Sequence, residues 1–113
     1  MNKKNDPTAP YQLVNLQDMG NQIPENSILS QTIYASGDIK AILFTLAAEQ
    51  ELSEHTSSYP AVLHFLSGEA QVTLGNDEIT AVAGTWVYME PRLPHSIYAK
   101  TAVVMLLEML PHK

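Results

Sequence analysis

Apolar and polar residues alternate along this chain in short runs, each closed by glycine, proline or a small polar residue. β-branched and aromatic side chains are frequent inside the runs, which is a strand composition rather than a helical one. The pattern predicts strands over 27–36, 39–48, 60–67, 69–75, 78–84, 85–90, 95–100 and 102–110. The "GND" at 75–77 reads as a tight hairpin, because glycine and asparagine tolerate positive φ. "LSGEA" around Gly68 reads as a second hairpin, and Gly84, Pro91 and Pro94 mark further turns. "AILFTLAAEQEL" and "AVVMLLEML" hold good helix formers without an internal breaker. Their β-type neighbours and lack of a clean N-cap favour strands, and a helix in the last segment is the alternative. Many short strands with glycine and proline turns predict an all-β sandwich or barrel.

The chain has 113 residues, enough for one domain with one modest core. Residues 1–10, polar with Pro7 and Pro10, read as a flexible arm, and 11–113 as the folded body. Composition is 45% hydrophobic and 16% charged, which argues against disorder. Net charge is −6, and between residues 12 and 112 only Lys40, Arg92 and Lys100 face eleven carboxylates. No basic stripe exists, so nucleic acid and anionic membrane are not expected partners. There is no cysteine, which excludes disulfides and thiolate metal sites. No apolar run follows Lys3 and Lys4, and none approaches the roughly 20 residues of a membrane span, so a cytoplasmic location is expected.

Two stretches carry a resemblance. In "HTSSYPAVLHFLSG", His55, Ser57, Ala61 and Gly68 fall at the positions of the first motif of the cupins, with Gln50 read at that motif's opening glycine. In "GTWVYMEPRLPHSIYA", Gly84, Glu90, Arg92, His95 and Ala99 fall at those of the second. Over 37–108 the chain resembles these small jelly-roll β-barrels, which implies a single-domain cupin barrel and, as in many small cupins, a homodimer. Cupin metal sites usually use three His and one Glu, and His55 and His95 are the pair that remains. The resemblance therefore implies no more than a divalent transition metal as cofactor, at a site that two ligands leave weak or absent.

In a cupin barrel His55 and His95 face inward from neighbouring strands, where imidazoles can share a metal, a proton or a substrate oxygen. A water-bridged pair without function is the plainer reading. Ser57 stands at a ligand position with only a hydroxyl to offer. Glu51 has the parity of His55 but lies about 13 Å away along a strand, while Glu54 should face the other side. Glu90 and Glu108 have no assigned place. Phe65 and Trp86 are candidate pocket walls, and Tyr98 a candidate hydroxyl. Arg92, on the loop before His95, is a candidate for holding a carboxylate, against the plainer reading of a solvated arginine. Met89 and Met105 are soft donors by chemistry, though methionine more often fills core gaps. His64 should point away from the interior. Two functions follow from different classes. One is a small-molecule-binding module with a pocket around His55 and His95. The other is an enzyme, a metal-dependent or metal-free isomerase, dioxygenase or related catalyst, acting on a small polar metabolite with the pair as acid and base.

Overall fold

The computed structural model describes residues 8–111, so part of the predicted arm over 1–10 lies outside the described residues. Among the described residues, nine strands follow one helical turn. They are β1 (Ile28–Ser36), β2 (Ile39–Leu46), β3 (Glu51–His55), β4 (Ala61–Ser67), β5 (Ala70–Leu74), β6 (Asp77–Ala81), β7 (Trp86–Met89), β8 (His95–Ala99) and β9 (Val103–Met109). All pairings are antiparallel, in a five-stranded sheet ordered β1-β2-β9-β4-β7 and a four-stranded sheet ordered β3-β8-β5-β6. The period of two sets the core. Leu63 and Phe65 of β4, Met105 of β9 and Met89 of β7 meet Val72, Ile97 and Ala81 of the opposing sheet.

Eight of the strands match the predicted segments. The ninth, β3, is short and mostly exposed, and a bulge between Leu52 and His55 breaks its alternation. The hairpin at 75–77 forms between paired β5 and β6, with Gly75 at φ 62. "LSGEA" is not a hairpin. β4 and β5 lie in different sheets, and the chain crosses between them at Gly68.

Every crossing from the five-stranded to the four-stranded sheet contains a residue at positive φ: Glu49 (φ 71) after β2, Gly68 (φ 89) after β4 and Arg92 (φ 68) after β7. The opening glycine of the first motif therefore corresponds to Glu49, not Gln50. At Glu49 and Arg92 the left-handed backbone persists on residues that pay about 1–2 kcal/mol for it.

The outer face of the five-stranded sheet is partly covered by the chain's own N-terminal segment. Asn15 caps a single turn, α1 (Leu16–Met19), by accepting from the N–H groups of Gln17 and Asp18. Gly20 then lies so close to Val104 that a Cβ would sit 2.9 Å from its Cγ1. Leu43 and Thr45 point to this face and are fully buried.

Candidate functional site

The site begins with a register. β3 pairs with β8 so that His55 sits beside His95, and across the bulge Leu52 packs against the core while His55, exposed, lines the mouth of a cavity. Glu51 consequently stands opposite Tyr98 on the outer face, which overturns its expected parity with His55. The two imidazole centroids are 4.3 Å apart with the rings inclined at 59°. Each ring is tied back by its own strand: His55 Nδ1 is 2.8 Å from the Ser53 carbonyl and His95 Nδ1 is 2.8 Å from that of Leu93. A carbonyl can only accept, so each Nδ1 carries a proton, and in a neutral ring the lone pair is then on Nε2. His95 is 6% exposed. Burial holds its pKa below the ordinary 6.5, and the charge of His55 adds to this against the opposing hydrogen bond to Leu93. At neutral pH His95 is uncharged.

The pair opens on a cavity of about 460 Å³. Ala61, Met89, Leu107 and Met109 of the five-stranded sheet form an apolar wall with Leu93. Thr56, Ser57, Ser58, Tyr59 and Glu90 line the polar remainder. The loop carrying these hydroxyls is braced at Ser57, whose Oγ accepts from the Tyr59 N–H at 3.1 Å and whose carbonyl accepts from the Arg92 N–H at 2.6 Å. Ala61 pairs with Met89 on one side and Met109 on the other, so two thioether residues flank the smallest side chain of the wall.

The structure thus brings His55, His95 and Ser57 together, sets Met89 and Glu90 on the same cavity, and leaves the other expected residues aside. Phe65 does not line the cavity, because it is 1% exposed in the core, four residues along β4 from Ala61. Tyr98 faces outward beside Glu51 and Gln71, 37% exposed, because it alternates with the inward Ile97. Arg92 reaches the site through its backbone bond to Ser57 and is not among the lining residues. Trp86 is on the outer face beside His64, as the outward reading of His64 requires, and is no pocket wall. Met105 is core. Glu108 faces a separate, open groove of about 860 Å³ under the N-terminal segment, away from the histidines. Thr56, Ser58, Leu93, Leu107 and Met109 line the cavity and were not foreseen. Counting by twos from Met105 would have found Leu107 and Met109, but nothing in the sequence gives the pairing that sets Met109 beside Ala61.

The donor set does not fit the divalent metal that the resemblance implies. Among the described residues no three His, Cys, Asp or Glu side chains form a group able to hold a metal ion. Catalytic zinc ordinarily takes three protein ligands, and non-haem iron two His and a carboxylate.

No family model matches this chain, and no curated protein matches it. Solved structures do. A conserved Streptococcus pyogenes protein of unknown function is similar at 26% identity and a TM-score of 0.81, covering 96% of this chain and 94% of its own. A cupin superfamily protein from Desulfitobacterium hafniense is similar at 23% identity and a TM-score of 0.80, over 92% and 94% of the two chains. An RmlC-like cupin from Desulfovibrio desulfuricans is similar at 24% identity and a TM-score of 0.69, over 98% and 97%.

Proposed function

We propose that this chain, which has the cupin fold, is a small-molecule-binding domain whose pocket is built around His55 and His95. One observation carries the reading: two Nδ1-anchored imidazoles open side by side on a cavity of about 460 Å³, within the range of small-molecule sites. Two Nε2 lone pairs ask for donors. A ligand with hydroxyl or N–H groups satisfies them directly, whereas a carboxylate brings only acceptors and would need His95 to be protonated against its depressed pKa. The wall of Leu93, Leu107, Met89 and Met109 suits an apolar flank on the same molecule. The ligand class is therefore a small neutral molecule, hydroxylated on one side and apolar on the other.

The test follows the histidine ring resonances by NMR while neutral polyols, sugar derivatives and matched carboxylates are added to the full chain. Neutral hydroxyl compounds should move the His55 and His95 signals, and binding should be lost in His55→Ala and in His95→Ala. Binding confined to carboxylates, or surviving in both variants, would refute the reading.

The paired imidazoles also support an enzymatic reading, a cupin enzyme acting on a small polar metabolite. The lowered pKa of His95 favours its neutral form, whose Nε2 lone pair can take a proton from a bound substrate. Turnover that survives chelation and disappears in either histidine variant would mark a metal-free isomerase or related catalyst. Turnover abolished by chelation and restored by a divalent ion would mark a metal-dependent enzyme such as a dioxygenase.

A further inference from the structure

Two thioethers share the cavity with the two imidazoles. Met89 and Met109 come from strands on either side of β4, in one register row with Ala61 between them. All three residues line the cavity that His55 and His95 line from the opposite sheet. Ala61 projects no more than a methyl group, so nothing from β4 stands between the two sulfur-bearing side chains.

We infer that this cavity binds a soft monovalent metal ion, Cu(I), through the Nε2 atoms of His55 and His95 and the thioether sulfurs of Met89 and Met109. Charge decides the oxidation state. The four donors are all neutral and Glu90 is the single carboxylate on the cavity lining, so a divalent ion placed here would keep part of its charge uncompensated against an apolar wall. A monovalent ion carries half that charge, and the two thioethers favour soft Cu(I), whereas imidazole alone would serve divalent metals as well. Orientation is already provided. The Nδ1 bonds to the Ser53 and Leu93 carbonyls are the arrangement by which metal-binding histidines are commonly held, and they leave both Nε2 atoms available. Leu93 and Leu107 add apolar surface to the same cavity. The inference shares its cavity with the small-molecule reading but rests on the methionines, which that reading uses only as an apolar wall.

The test titrates the full chain anaerobically with Cu(I) against a chromophoric Cu(I) chelator, and separately with Zn(II). It then follows the methionine methyl resonances as Ag(I), a redox-inert substitute, is added. A single equivalent of Cu(I) should bind at least about a hundredfold more tightly than Zn(II). The Met89 and Met109 methyl signals should move with Ag(I), while that of Met105, in the core outside the cavity, should not. The double variant Met89→Leu, Met109→Leu conserves volume and should keep the strand circular dichroism while losing at least about tenfold in Cu(I) affinity. His55→Ala should lose as much. Zn(II) binding as tight as Cu(I), unmoved Met89 and Met109 signals, or undiminished affinity in the folded double variant would overturn the proposal. Because no organic ligand is used, that failure would leave the small-molecule reading to its own test.

Discussion

His95 is the residue at which burial and chemistry conflict most. A histidine whose folded pKa is depressed binds fewer protons folded than unfolded, so acid favours the unfolded chain. Its burden is absent above the ordinary value of 6.5 and grows as pH falls from there through the folded pKa. Denaturant titrations across this window should show stability declining toward acid in the wild type, and more gently in His95→Gln. An equal slope in the two proteins would place the burden elsewhere. At this scale the sequence was legible for the juxtaposition of His55 and His95, which the motif resemblance implied and the strand register places side by side. It was not legible for Glu51, because a bulge that inverts parity leaves no compositional trace. Nor was it for Glu49 and Arg92, since a left-handed backbone is announced by glycine and silent when glycine is replaced.

Among the elements, the crossings hold the most information about the fold. At Gly68 two constraints coincide: φ is 89, and a Cβ would collide with the carbonyl oxygen of Ala102. At Gly84, φ is 95 with nothing within 4 Å of the missing Cβ. Gly68→Ala should therefore cost about 3 kcal/mol or more, and Gly84→Ala only the backbone strain of about 1–2 kcal/mol. Equilibrium denaturation of both variants checks this, and equal losses would mean that the Ala102 contact relaxes freely. The strands themselves were legible because alternation reports which residues are covered. Their partners were not, because alternation is the same whichever strand lies alongside. Hence "LSGEA" passed for a hairpin although Gly68 carries the chain from one sheet to the other, and the pairing that puts Met109 beside Ala61 could not be anticipated.

The whole molecule has two unlike outer faces. That of the four-stranded sheet is polar, with Thr73 against Ser96, Thr80 against Gln71 and Lys100 against Glu69. That of the five-stranded sheet carries apolar residues, part of which the N-terminal segment covers. Trp86, 60% exposed, and Tyr88 remain uncovered on β7. Light scattering should give about 25 kDa, twice the chain mass of 12.5 kDa, and Trp86→Glu should shift the population toward the monomer. A concentration-independent monomer in the wild type would end the dimer expectation. The position of β9 has a separate bearing on how the protein is made. It lies between β2 and β4, so no strand that precedes it in synthesis joins the two halves of that sheet. A nascent chain halted before Val103 would hold β1-β2 and β4-β7 as separate ribbons, each with an apolar edge open to aggregation. Folding of this sheet therefore waits for β9 to leave the ribosome, and chaperone contact should be heaviest just before that moment.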